Sequence, residues 1–394
     1  MKTNRVAIII QKLNGGGAER TASNLSLFFK DCCDVHLIVF DGREITYPYA
    51  GTLHDLKLPA VDGKANKLIN LQKRVAAVKK LKKEYNIDYS ISLMDGANLV
   101  NVLSCVGDKV ITSVRIQMSK SRNATEGIGG LLDRKIMQFV GEKSYRVVAL
   151  SKGVENDLRD VYGVPSERLV TIYNPCDYSV LQKNAEENNI QLEYGNALIT
   201  MGRLTDQKGH WHLIRAINEV KKSIHDVKLF ILGEGPLEES LKELTTDLGL
   251  EENIHFLGYV KAPHACFKFC DAFVFPSEFE GLGNVLLEAM AFGLPCISTD
   301  CYSGPREILA PGTTVKEQLE EIEMGEFGIL TSVGGKGEFD ATSPLSVAEM
   351  QLAEAICLIL KDTGLNQHYH KKSLERREAF TPEKITADWM ALFK

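Results

Sequence analysis

The sequence predicts an α/β protein built on two doubly wound parallel sheets, and three observations carry that expectation. Short unbroken apolar runs alternate with helical segments along the chain. A polar stretch at 177–196 interrupts this alternation once, after which it begins again. Finally, 394 residues suffice for two or three domains, each with its own core. Strands buried on both faces and separated by helices imply parallel sheets covered on both sides. Ligands of such sheets bind beyond the carboxyl ends of the strands.

In the first half, strands are expected at Val6–Ile10, Val35–Phe40, Asp88–Leu93, Lys109–Val114 and Arg146–Leu150. Past the first comes Asn14-Gly15-Gly16-Gly17-Ala18-Glu19-Arg20, a glycine loop opening a helix, which can bring backbone amides against a phosphate. As a dinucleotide fingerprint it is incomplete. Gly15 and Gly17 fill two positions of GxGxxG, but Arg20 stands at the third, although Asp41 ends the second strand as an NAD site requires. A dehydrogenase is therefore an alternative that this loop fits poorly.

Between the second and third strands, Leu68, Leu71, Val75, Val78 and Leu81 recur every three or four residues, so one helix face should pack on a core. Lys73, Lys79, Lys80, Lys82 and Lys83 cover much of the remainder. Residues 1–190 contain 27 Lys+Arg against 21 Asp+Glu, and residues 191–394 contain 19 against 31. The halves thus face partners of different kinds. The basic helix is either a solvated surface or a face attracted to anionic lipid or a diphosphate-linked acceptor.

In the second half, strands are expected at Ala197–Met201, Lys228–Leu232, Asn253–Leu257, Ala272–Phe275 and Pro295–Ser298, with helices at His210–Lys222 and Leu237–Leu248. The turn Gly202-Arg203-Leu204-Thr205-Asp206-Gln207-Lys208-Gly209 places two cations five residues apart, within reach of one anion. His210 and His212 open the next helix as packing or cap residues. Residues 310–345 read as a longer excursion, followed by helices at Glu349–Lys361 and Pro382–Lys394.

The stretch Phe275–Leu309 organises this half. Glu280 sits on a loop with Gly281 and Gly283, a helix runs from Asn284 to Phe292 with Glu288 its only charge, and Gly293-Leu294-Pro295 stops it. Two carboxylates flanking a helix N-terminus suit a ligand with two sets of hydroxyls joined by phosphates. Sugar, diphosphate and ribose occur in that order in a nucleotide sugar. A glycosidase pair is the competing reading. Eight residues within one helix would separate the carboxylates by ~12 Å, beyond the ~5–9.5 Å that hydrolases use. Glu280 precedes the helix, however, so the spacing alone does not fix the distance.

Composition limits the remaining classes. No apolar run approaches the ~18 residues of a spanning helix, and MKTNRVAIII reads as a first strand without a leader's apolar core and cleavage site. Nine cysteines show no framework, which points to a reduced, cytoplasmic setting. Cys266 and Cys270 lack a second ligand pair and are expected on a helix face, so no zinc site is expected there.

Gly202-Arg203 with Lys208-Gly209, Gly233-Glu234-Gly235-Pro236, Phe256-Leu257-Gly258-Tyr259-Val260, and Glu280 with Glu288 form an ordered set over essentially the whole chain. In this set the chain resembles the family-4 retaining glycosyltransferases of the GT-B fold, notably bacterial enzymes of surface polysaccharide and lipid-linked oligosaccharide assembly. The resemblance implies two Rossmann-like domains facing across a cleft. These would be an acceptor domain of residues 1–176 plus 378–394, a linker at 177–196, and a donor domain at 197–377. A last helix around Phe380 to Phe393 would cross back to the first domain. It further implies that Arg203 and Lys208 neutralise the donor diphosphate, Glu288 binds ribose hydroxyls, and the Val260 backbone meets the base. Glu280 would hold the transferred sugar with the amides of Leu282 and Gly283. Asn284 and Val285 would offer helix amides to phosphate, completed by Gly16 and Gly17. No metal or other cofactor is implied, and retention would proceed by front-face attack without a covalent enzyme intermediate. Relatives often carry a histidine on the loop after the Lys109–Val114 strand. Here that loop offers Arg115 instead, which is a candidate contact for the acceptor or a residue of a structural ion pair. The Glu280–Asn284 and Ser303–Glu307 loops look like those of enzymes using UDP-linked galactose, glucose or their N-acetylamino forms. Implied partners are thus a UDP-sugar, a glycan or polyprenyl-diphosphate-linked acceptor and the inner membrane face, with no nucleic acid. A nucleotide-sugar epimerase and a non-catalytic sugar-nucleotide binding protein are the alternatives.

Overall fold

The computed structural model describes residues 3–121, 127–188, 190–192, 195–314, 319–335 and 339–393. Parts of the 177–196 and 310–345 stretches, and Lys394, lie outside the described residues. The chain forms two units, Met1–Asn174 with Pro382–Lys394, and Pro175–Thr381.

The first unit is a seven-stranded parallel sheet in the order β3-β2-β1-β4-β5-β6-β7. Its strands are β1 (Asn4–Ile10), β2 (Cys33–Val39), β3 (Thr52–Asp55), β4 (Tyr89–Leu93), β5 (Lys109–Val114), β6 (Arg146–Ala149) and β7 (Leu169–Thr171). Both faces of β1 are buried. Val6, Ile8 and Ile10 pack with Leu25 and Phe29, while Ala7 and Ile9 pack with Val78 and Val100. Strand order reverses between β1 and β4, the point at which such sheets take ligands. The helix Pro382–Met390 belongs to this unit. Its Ile385 and Trp389 enter the β1 core, and Phe393 beyond it meets Phe29 edge-on at 5.5 Å.

The second unit repeats the plan in the order β10-β9-β8-β11-β12-β14-β13. Its strands are β8 (Ala197–Met201), β9 (Lys228–Leu232), β10 (Ile254–Gly258), β11 (Ala272–Phe275), β12 (Cys296–Thr299), β13 (Glu323–Met324) and β14 (Ile329–Thr331). Only β13 among them runs antiparallel. The switch point lies between β8 and β11.

Several expectations need correction. The stretch 177–196, expected as linker, carries the helix Tyr178–Glu186. Asp177 caps it by accepting from the Val180 amide, and buried Leu181 and Ala185 seat it within the second unit. The excursion at 310–345 contains β13 and β14, and a helix at Thr363–Arg377, capped by Asp362, was not expected. In the basic helix Lys64–Glu84, Leu68 is exposed rather than packed. Lys82 is fully buried, 2.8 Å from Asp108, and its Nζ also donates to Asn101 Oδ1 at 2.6 Å. Burial pulls the Lys82 ammonium down in pKa, against the opposing pull of Asp108.

Candidate functional site

In the second unit, the loops leaving β8, β9 and β10 are tied to one another by backbone hydrogen bonds. Gly202 N–H donates to Leu232 O at 2.9 Å, Leu204 N–H to Glu234 O at 3.0 Å, and Gly233 N–H to Gly258 O at 2.8 Å. A Cβ on Gly233 would stand 2.0 Å from Gly202 O, so the two loops approach closer than any side chain allows.

Lys208 ends a short 3-10 turn at Asp206–Lys208. Its methylene stem runs past Gly202, and its ammonium makes an ion pair with the Glu280 carboxylate. The ammonium also lies 5.1 Å from the centre of the Phe275 ring. Both partners are largely buried, at 17% and 10% side-chain exposure, so this pair is little screened by solvent. The two were expected at successive groups of one ligand, and here they hold each other. The Glu280 loop is pinned at three points. Gln207 donates to Phe279 O at 2.9 Å, the Glu278 amide donates to Gln207 O at 2.8 Å, and Ser303 Oγ donates to Glu280 O at 2.5 Å.

The helix Asn284–Ala291 starts beside this pair. Its N-cap is Gly283, in the left-handed region at φ 88°, which supplies no side-chain oxygen to the first-turn amides of Asn284 and Val285. A Cβ on Gly283 would lie 3.1 Å from the same Phe275 ring that Lys208 covers. Lys208, Glu280, Phe275 and Gly283 therefore form one contiguous group. Leu282 is buried just before it. Glu288, on the fifth residue of the helix, accepts a hydrogen bond of 2.9 Å from His264 Nε2. Arg203 is exposed at the carboxyl end of β8 and has no ion pair among the described residues. Val260 is half-buried beyond β10, next to an exposed Tyr259.

Sequence reasoning missed a buried network behind this group. Glu278 Oε2 accepts from the Gly335 amide at 2.9 Å, and its Oε1 lies 3.5 Å from His212 Nε2. His212 Nδ1 donates to Glu349 at 2.9 Å, and Arg215 Nε reaches the same oxygen at 2.8 Å. Burial raises the Glu278 carboxyl to about 7, against the pull of His212. Burial also lowers His212, but the bonds to Glu349 and Gly335 outweigh it and the net shift is upward. His212 is thus a network member rather than a cap. His210 packs in the core, where burial and then Lys208 drive it down to about 3. The available signal was a second carboxylate two residues from Glu280 and a histidine just past the Lys208 turn.

In the first unit, the loop after β1 opens the helix Gly17–Phe29 with Gly16 at its N-cap. A Cβ on Gly16 would stand 2.1 Å from a carboxylate oxygen of Glu19, the movable end of a flexible side chain, and Gly16 itself has an ordinary extended backbone. Arg115, just past β5, is no member of an ion pair among the described residues. Its guanidinium donates to Ser113 Oγ and Thr21 Oγ1 at 3.3 Å each and to Asn174 Oδ1. Thr21 Oγ1 in turn donates to Gly17 O at 2.9 Å. Burial alone lowers Arg115 to about 9. The arrangement is a cation held by neutral groups beneath a helix N-terminus, with charge to offer an acidic ligand.

Among the described residues, no group of three or more His, Cys, Asp or Glu is placed to hold a metal ion, and no helix is long and apolar enough to cross a membrane.

Comparison with known proteins agrees with this fold. Residues 15–180 match the family model for Glycosyltransferase Family 4, and residues 182–319 the model for Glycosyl transferases group 1. An uncharacterized glycosyltransferase of Methanocaldococcus jannaschii is 40% identical over 200 residues, which is 50% of this chain and 49% of that protein. A Campylobacter jejuni enzyme is 27% identical over 389 residues, 98% of each chain. It is the N-acetylgalactosamine-N,N'-diacetylbacillosaminyl-diphospho-undecaprenol 4-alpha-N-acetylgalactosaminyltransferase. Among solved structures, Anabaena HepE in complex with UDP superposes with a TM-score of 0.73 at 18% identity over 99% of each chain, a likeness of fold. The chain belongs to the glycosyltransferases of the GT-B fold, with a family 4 domain followed by a group 1 domain.

Proposed function

We propose that this glycosyltransferase moves a hexose or N-acetylhexosamine from a UDP-sugar to a glycan or lipid-linked oligosaccharide acceptor, with retention at the anomeric carbon. The observation that carries the reading is the buried Lys208–Glu280 pair beside the Gly283-capped helix start, at the switch point of the second sheet. A nucleotide sugar matches both members, with phosphate for the ammonium and sugar hydroxyls for the carboxylate.

In this reading Arg203 and Lys208 take the diphosphate, Asn284 and Val285 present helix amides to it, and Gly16 and Gly17 do the same from their own helix start. Glu280 holds the sugar with the Leu282 and Gly283 amides, Glu288 the ribose, and the Val260 backbone the base. Two cations and helix N-termini stabilise the leaving nucleoside diphosphate without a metal. Arg115 meets the acceptor or its phosphate. The leaving phosphate accepts the acceptor's proton during front-face attack, so no covalent enzyme intermediate forms. The full-length Campylobacter relative acts on a diphospho-undecaprenol-linked acceptor, which supports a polyprenyl-diphosphate-linked one here. The crystallised HepE binds UDP, which supports that nucleotide. We also propose that the enzyme works at the inner membrane face, docked through the Lys64–Glu84 helix, where exposed Leu68 and Ile69 stand beside Lys64 and Lys67.

The test incubates the protein with UDP-, GDP- and ADP-sugars, with and without a membrane lipid extract. Transfer from UDP-sugars that requires the extract is the expected result. Donor turnover without acceptor would identify an isomerase, and UDP-sugar binding without turnover a sensor.

A further inference from the structure

His264 is absent from the roles assigned above, yet it holds the carboxylate on which nucleotide recognition depends. It lies in the 3-10 segment Pro263–Phe269, four residues after Val260. Its imidazole is buried, stacks on Phe292 at 5.7 Å and 5° between planes, and meets Phe267 edge-on at 5.3 Å and 86°. Phe292 stands one helical turn beyond Glu288. One ring thus packs on residue i+4 of the helix exit while its Nε2 donates to residue i at 2.9 Å. An ionised carboxylate only accepts, so the hydrogen on this bond belongs to the imidazole.

We propose that His264 is a positioning residue for ribose recognition, locking Glu288 in the rotamer that accepts the ribose hydroxyls. This rests on the ribose role of Glu288 given above. A glutamate has three side-chain torsions, and ordering such a chain costs up to about 2 kcal/mol. The bond from a ring fixed by two aromatic neighbours settles that cost before the nucleotide arrives, as preorganisation requires. It uses one of the roughly four acceptor positions of the carboxylate. The short tether from Val260 to His264 also places the base contact and the residue that positions the ribose contact on one continuous segment. The nucleoside is therefore read by a single brace.

The measurement is the affinity of the full chain for UDP and for 2′,3′-dideoxy-UDP, in wild type, Glu288→Ala, His264→Phe and His264→Gln. Wild type should prefer UDP, and Glu288→Ala should erase the preference. His264→Phe keeps the aromatic packing but loses the donor. It should reduce UDP affinity about tenfold with dideoxy-UDP affinity unchanged, and His264→Gln, which retains an N–H donor, should restore most of the preference. His264→Leu replaces the Phe variant if that one does not fold. An unaltered preference in His264→Phe, or equal losses for both nucleotides, overturns the positioning role while leaving Glu288 on the ribose. No preference in the wild type overturns both.

Discussion

The ammonium of Lys208 and the carboxylate of Glu280 neutralise each other across 72 residues of sequence, at the switch point of the second sheet. On the proposed reading the donor separates them, giving its phosphate to one and its hydroxyls to the other. Loss of the acid should then free the base. Glu280→Ala is expected to abolish transfer while UDP affinity, measured by calorimetry, stays within about a few-fold. Lys208→Ala should weaken UDP by about tenfold, or ~1.4 kcal/mol. A loss of UDP affinity in Glu280→Ala as large as that in Lys208→Ala would assign both to the phosphate.

Arg115 carries its charge among neutral partners, and on the proposed reading that charge serves the acceptor. Arg115→Met should raise the KM for the acceptor at least about tenfold and leave UDP affinity unchanged. Thermal stability should fall by no more than about 1–2 kcal/mol, the loss expected when Ser113, Thr21 and Asn174 lose a donor. A large fall in the melting temperature would mark Arg115 as a scaffold residue instead.

Glu278 and His212 set a pH dependence of known sign. Both bind protons more readily in the folded chain, so each stabilises at low pH and loses that contribution as pH rises. For Glu278 the loss runs from its ordinary 4.5 to about 7. For His212 it begins near 6.5 and continues upward. Glu349 is depressed to about 2, which acts only at more acid pH. The unfolding midpoint of the second unit should therefore fall between about pH 5 and 8. Glu278→Gln should flatten the lower part of that slope and gain on the order of 1–2 kcal/mol at pH 8 relative to wild type. A wild-type slope that survives the substitution would place its source elsewhere.

Gly304 has φ 93°, and a Cβ there would stand 2.1 Å from Leu282 O. Gly304→Ala forces the Ser303 turn away from the Glu280 loop that it pins. The expected cost is about 2 kcal/mol or more, with transfer reduced more than about 100-fold. Thermal melts alongside initial rates separate the two effects.

The proposed docking by the basic helix would be electrostatic at its edge. Recovery with vesicles containing anionic lipid should fall as ionic strength rises, since exposed charges are screened within ~10 Å at 0.1 M salt. Leu68→Ser with Ile69→Ser should lower recovery further at any salt. Recovery that ignores both changes would remove this face from the membrane.

The central strands were legible because burial on both faces leaves little but apolar residues in them. Their edges were not. β3 is Thr-Leu-His-Asp and β7 is Leu-Val-Thr, too short and mixed to stand out from loop, and only pairing with β2 and β6 makes them strands. Lys82 shows residue type misleading where period did not. It lies four residues after Val78, on the buried face, and Asp108 compensates for its charge there. In the site, Glu280 and Lys208 stood out as charges beside glycines, and Glu288 as the only charge in an apolar helix. The Lys208–Glu280 contact, the His264 brace and the Glu278–His212 network did not, because each joins segments distant in sequence.

The burial of Trp389 and Ile385 against β1 makes the order of synthesis matter. The first sheet leaves the ribosome early, yet its core lacks a wall until some two hundred further residues have been made. The nascent sheet must wait with that apolar seam open, in need of a chaperone or of the tethered tail. A fragment ending near Asn174 would meet the same fate, and splicing residues 382–393 ahead of β1 is the route to making that half alone.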